Sequence, residues 1–203
     1  LLISIFRYEK HLIEAGRVDD SDVRNLLLRA ETPWGEPSLE DQREGMALIG
    51  KALDLDPHNV HALTLAAAMR VRAVAAYAFD GEAERTRLLE AAESDLQTAV
   101  RLEPTRPIIH LLMGDLRSAW GQHDAARAEY ERALEIDPTS TYALTRLALE
   151  DIYQEKIEAA QLRLERARKL NPDDSYFLDS LAGLIDFMSG RDEEALASMR
   201  RAI

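Results

Sequence analysis

The sequence predicts an all-α chain built as a solenoid of antiparallel helix hairpins. Three observations lead there. Related segments ending in proline recur along the chain, three of them are spaced by a constant 34 residues, and between them apolar residues return every three or four positions. A fixed period of that length marks stacked supersecondary units, and the three-to-four spacing marks one buried helical face per segment.

The related segments are KALDLDPHN (51–59), TAVRLEPTR (98–106), RALEIDPTS (132–140) and RARKLNPDD (166–174). Pro104, Pro138 and Pro172 lie 34 apart, whereas Pro57 precedes Pro104 by 47, one period plus 13 residues. Gly114, Ala148 and Ala182 keep the step of 34, as do Ala92, Ala126 and Ala160, and Ala99, Ala133 and Ala167. The large residues Leu96, Tyr130 and Leu164 fall between the last two sets. Gly45, Ile49 and Ala52 stand 47 earlier, and Ala195, Met199 and Ala202 resume the pattern 35 residues later, a slip of one after Gly190. Small residues let two helices approach, and the large one fills the groove between them. Proline ends the second helix of each pair, because it has no amide proton and restricts the residue before it.

In chain order, residues 1–18 predict an N-terminal helix, apolar at Leu2, Ile5, Phe6, Leu12 and Ile13, which caps the first hairpin. Residues 19–59 predict a divergent first unit. Its first helix runs from about Asp20 to Glu31, a loop Thr32-Pro33-Trp34-Gly35-Glu36-Pro37 follows, and Ser38 with Asp41 marks the next helix start. Residues 60–106 hold the 13 additional residues; divided between the two helices, they lengthen each by about two turns and make a projecting hairpin. Units at 107–140 and 141–174 follow, then an incomplete one at 175–203, all within one solenoid domain. Gly121 and Gly190 mark turns inside their hairpins. Thr139 and Ser140, and the stretch from Asp173 to Ser175, offer caps for the helices that follow.

Composition narrows the function. Hydrophobic residues at 46% and charged residues at 31% describe an ordinary globular chain, not a disordered one. A formal charge of −12 disfavours nucleic acid and anionic membrane surfaces as partners. The absence of cysteine removes disulfides and thiolate metal sites. No apolar run approaches the roughly 20 residues of a membrane span. The chain starts at Leu1 without an initiator methionine, as an excised part of a longer protein does; the expected compartment is the cytoplasm.

The period, the small–large–small signature and the proline together resemble the tetratricopeptide (TPR) repeat family over nearly all of 60–203. Two departures stand out. Leu63, His110, Leu144 and Leu178 occupy the early position where the family has tryptophan, and Glu155–Lys156 stands where a turn glycine is usual. The resemblance implies a right-handed α-α superhelix whose concave face is lined by the first helix of each unit. Its inward positions here are His61, Thr64, Ala68 and Arg72, then Ile108, Leu111 and Asp115. Tyr142, Thr145, Arg146, Leu149, Ile152 and Tyr153 continue the face, followed by Tyr176, Asp179, Asp186 and Phe187. The aromatic residues gathered in the last two units suit a groove for an apolar or aromatic peptide or helix, and equally suit rings packed against neighbouring helices or an added C-terminal element. Of the Lys, Asn and Arg set with which some family members clamp a terminal carboxylate, only Arg146 matches.

The stretch from Asp22 to Pro57, with LLLRA, a break rich in Trp and Pro, and LIGKALDLDP, resembles repeat regions appended to bacterial class III nucleotidyl cyclases or winged-helix regulators. That resemblance implies a regulatory part of a larger signalling protein. Other sites are weaker. His58, His61, His110 and His123 lack the convergent ligands a zinc site needs. Asp54, Asp56 and Asn59 have neither the glycine nor the terminal carboxylate of a calcium loop. Arg163, Arg166, Arg168 and Lys169 sit at a helix end, where the dipole favours cations. No phosphate loop or nucleophile elbow occurs, so the expected function is protein or peptide binding, with no catalytic residue, metal or cofactor. The sequence stops inside the second helix of the last unit, which leaves two alternatives: further residues follow, or two chains meet as a homodimer through the solenoid ends.

Overall fold

The computed structural model describes residues 21–31, 39–76, 79–172 and 175–202, with the side chains of Ser21, Leu39, Ser175 and Tyr176 left aside. The expected helix at 1–18, the loop at 32–37 and the cap at Asp173 lie outside the described residues.

Ten helices account for the described chain: α1 (Ser21–Ala30), α2 (Leu39–Leu55), α3 (Val60–Ala75), α4 (Gly81–Leu102), α5 (Pro107–Ala119), α6 (His123–Ile136), α7 (Thr141–Tyr153), α8 (Ile157–Leu170), α9 (Ser175–Met188) and α10 (Asp192–Arg201). They divide into two compact units, the first ending at Gln122 and the second beginning at His123.

In the first unit, α1, α2 and α3 share a core of Val23, Leu27, Ile49, Ala52, Leu65 and Met69. The small residues of the repeat permit the approach: a Cβ added at Gly45 lies 3.0 Å from Met69 Cε and 3.3 Å from the Ala30 carbonyl oxygen. Helix α3 begins at Asn59, whose side chain accepts from the Ala62 amide, and it buries Ala66, Ala67 and Ala68 together. The 13 extra residues of this hairpin are not divided evenly. Helix α3 has 16 residues against 13 in α5 and α7, and α4 has 22 against 14 in α6 and α8. The insertion therefore goes mainly into the start of α4, about 12 Å of added helix. Its first turns are held down, since Arg85 donates to the Ala119 carbonyl and its guanidinium lies 5.8 Å from the centre of the Trp120 ring.

In the second unit, α7, α8 and α9 share Leu144, Ala148, Ala160, Leu164, Leu178 and Leu181. Ser140 caps α7 by accepting from the Ala143 amide at 3.3 Å. The final hairpin closes where Gly183 meets α10, and a Cβ there falls 2.9 Å from Met199 Cγ. This contact is one position beyond Ala182, the residue in register with Gly114 and Ala148, and it accommodates the slip of one that follows Gly190.

One turn is built three times. The amides of Gln122, Lys156 and Arg191 donate to the carbonyls of Arg117, Asp151 and Asp186, five residues back, at 2.8–2.9 Å. The residue before each donor has left-handed backbone: Gly121 at φ 72°, Glu155 at 58° and Gly190 at 71°. That is the Schellman closure of a helix, in which glycine is the favoured residue.

Candidate peptide-binding surface

Of the residues expected to line a groove, Ile108, Leu111 and Asp115 stand on α5 in the first unit. Ile108 and Leu111 are buried and Asp115 is half-buried. The others stand on α7 and α9 in the second unit, two helices in direct contact.

On α7, Tyr142, Arg146, Leu149 and Tyr153 follow one another at helical spacing and form one stripe. Tyr142 is buried, and its ring lies 4.8 Å beneath the Arg146 guanidinium, which also donates to the phenolic oxygen at 2.8 Å. A cation over an aromatic face holds both side chains in place. Thr145 turns inward and donates its hydroxyl to the Tyr142 carbonyl at 2.9 Å. Leu149 is half-buried, Ile152 is buried, and Tyr153 is 57% exposed with its ring 5.5 Å from that of His123. On α9, Asp179 is buried and accepts from Arg168 at 2.6 Å, Asp186 accepts from Arg191 at 2.7 Å, and Phe187 is 59% exposed. Tyr153 and Phe187 are 34 residues apart, so successive repeats present an aromatic ring at the same station. The Tyr176 side chain lies outside the described residues.

The positions expected to face inward from α3 are occupied in packing. His61 donates to the Glu31 carboxylate at 2.6 Å, and Thr64 and Ala68 are buried. Burial lowers the pKa of the half-buried Arg72 guanidinium. Two further histidines have structural partners: the His110 ring donates to the Pro104 carbonyl at 3.0 Å, and His123 meets the Glu150 carboxylate at 2.9 Å.

Several charged residues important to the packing escape the apolar pattern. Asp151 is 1% exposed and is held between Arg127 of α6 and Arg163 of α8, each at 2.7 Å. Two of the four basic residues near the end of α8 thus have carboxylate partners, Arg163 with Asp151 and Arg168 with Asp179, and Arg166 donates to the Pro138 carbonyl. In the first unit Arg117 pairs with Glu93 at 2.8 Å, and Arg70 pairs with Asp95, whose pKa burial raises against the pull of Arg70. Arg70, Arg117 and Asp151 stand at intervals of 47 and 34, and so occupy one position of the repeat. Arg117–Glu93 and Asp151–Arg127 are then the same contact with the charges exchanged, as are Arg70–Asp95 and Asp151–Arg163. A charge kept at one station of the repeat was the signal available in the sequence.

Among the described residues no helix is long and apolar enough to cross a membrane, and no group of three or more His, Asp or Glu side chains could hold a metal ion. Residues 109–140 match the family model described as a tetratricopeptide repeat. The chain is similar to a crystal structure of a thermophilic TPR protein of Thermus thermophilus, with 18% identity over 89% of each chain and a TM-score of 0.72. It is similar to a tetratricopeptide repeat protein from Parabacteroides merdae, with 15% identity over 98% of this chain and 74% of that one and a TM-score of 0.71. YrrB, described as a TPR protein with an unusual peptide-binding site, matches with 17% identity over 96% of this chain and 90% of that one, at a TM-score of 0.55. A search of curated proteins finds no match. Over the described residues the fold is all-helical and matches that of TPR solenoids; the resemblance of 22–57 to appended cyclase or winged-helix regions finds no counterpart in these comparisons.

Proposed function

We propose that the chain is a protein–protein interaction scaffold, not an enzyme, and that the face of α7 and α9 binds an extended peptide or a helix carrying apolar or aromatic side chains. The observation that carries this reading is the pair Tyr153 and Phe187, two large rings at one repeat station that remain mostly in water. Exposed rings on a rigid helical frame supply contact area with little entropy to lose, which suits them to recognition. Arg146, fixed over Tyr142, adds a cation beside the apolar stripe. The fold supports the same reading, since stacked hairpins offer elongated surfaces to partners, and YrrB is described by its peptide-binding site.

The test is capture of partners from a lysate of the source organism by the immobilised chain, compared with a Tyr153→Ala/Phe187→Ala double variant, whose two rings are both exposed. The variant is expected to lose the partner while keeping its helical circular dichroism. Equal capture by both proteins, or unfolding of the variant, removes the support for this surface.

A further inference from the structure

One guanidinium in the first unit is taken partly out of water with no group to receive it. The half-buried Arg70, Arg117, Arg127, Arg163 and Arg168 each meet a carboxylate: Asp95, Glu93, Asp151 for the next two, and Asp179. Arg72, two residues after Arg70 on α3, is half-buried as well. Its Nε is shut off from solvent and has no hydrogen-bond partner, and among the described residues no carboxylate pairs with it. Burial lowers its pKa, and no neighbouring charge opposes that shift.

The surrounding residues leave the charge unanswered. Three and four residues away along α3 stand Ala68, Met69, Ala75 and Ala76, none of them acidic. Carboxylates of α4, the other helix of this hairpin, are engaged elsewhere: Glu82 with Arg85, Glu93 with Arg117 and Asp95 with Arg70. On α5, which packs against α3, the equivalent residue is Ala119. Steps of 47, 34 and 34 lead from Arg72 through Ala119 to Tyr153 and Phe187, so Arg72 holds the station at which the second unit displays its exposed rings. A partly dry cation without a counter-charge destabilises the free protein. Groups retained against stability in this way are typical of binding sites, where the ligand supplies what the fold withholds.

We infer that Arg72 is a docking point for a side-chain carboxylate, Asp or Glu, of a partner polypeptide. The guanidinium fork matches a planar carboxylate, and the pair gains strength where water is partly excluded. A phosphate dianion calls for more positive charge than one guanidinium carries, and the nearby Arg70 is already neutralised by Asp95. The site belongs to the first unit and does not rest on the rings of α7 and α9, so each stands without the other.

The blocked tripeptide N-acetyl-Ala-Glu-Ala-amide, titrated into the isotope-labelled 203-residue chain at constant ionic strength, tests this by nuclear magnetic resonance. Backbone amide signals in the last turn of α3 are expected to move saturably, with a dissociation constant of about 1–10 mM. The same peptide with glutamine in place of glutamate is expected to leave them still. Arg72→Met is expected to abolish the movement and, by removing the unpaired charge at similar helix propensity, to raise the urea midpoint. Arg87→Met makes the same change of net charge at a side chain 75% exposed and is expected to leave the midpoint where it was. Arg72→Lys, which keeps the charge and loses the fork, is expected to weaken binding by about threefold to tenfold. Absence of a saturable response to the glutamate peptide overturns the inference, as does an equal response to the glutamine peptide. An Arg72→Met variant that still responds, or whose midpoint fails to rise, overturns it too. A phosphoserine peptide that binds more tightly than the glutamate one rejects the carboxylate and assigns the site to phosphate.

Discussion

At residue scale, Glu155 bears a conformational cost that its counterparts avoid. Gly121 and Gly190 make the same Schellman turn without a side chain, whereas Glu155 makes it at φ 58°. A residue with a Cβ is disfavoured by roughly 1–2 kcal/mol in that region. Glycine offsets part of the difference through its more flexible unfolded state, roughly 0.4–1 kcal/mol. Glu155→Gly is therefore expected to stabilise the fold by about 0.5–1 kcal/mol, read as a higher urea midpoint at unchanged slope; a lower midpoint contradicts it. The sequence displayed this position openly, as a break in a glycine pattern. Asp151 was harder to see. It lies within TYALTRLALEDIY, where hydrophobic spacing alone assigns a charge to solvent, and only its alignment with Arg70 and Arg117 distinguishes it. Asp151→Ala leaves Arg127 and Arg163 without their carboxylate. Breaking a dry pair costs about 3–5 kcal/mol, but water still reaches both arginines, so a loss of roughly 2–3 kcal/mol in chemical denaturation is expected.

At the scale of the element, the helix pairs follow from side-chain volume. Ala126 and Ala133 are fully buried on α6 with Tyr130 between them, and Ala160 and Ala167 flank Leu164 in the same way on α8. Enlarging one small member forces the pair apart. Ala133→Leu is expected to lower stability by about 1–3 kcal/mol and to shift the thermal midpoint downward while helix content at room temperature is kept. An unshifted midpoint denies the close contact. Element boundaries were legible to within a residue or two wherever proline or Ser140 marked them, whereas the cap that Asn59 supplies to α3 was not singled out by the repeat. The division of the insertion was not, because both α3 and α4 have helix-forming sequence and no residue says which should lengthen. Contacts of Arg85 with the end of α5 keep the added turns of α4 in place, and such long-range contacts leave no mark on periodicity.

For the whole molecule, the constant period carried the architecture: a repeat whose units cannot bury their apolar faces alone must stack them. The candidate surface was legible in kind and only partly in detail. Tyr153 and Phe187 are exposed, whereas on the same helix as Tyr153 the Tyr142 ring is buried under Arg146 and Thr145 is buried with its hydroxyl on the Tyr142 carbonyl.

The clasp of Arg85 on Trp120 has an optical consequence. The chain has two tryptophans, and Trp34→Phe leaves the indole at the end of α5 as the sole emitter of its kind. Its fluorescence then reports on the lengthened start of α4 by itself. A spectral change at denaturant concentrations where ellipticity is still native would record that end peeling away while the rest of the repeats hold.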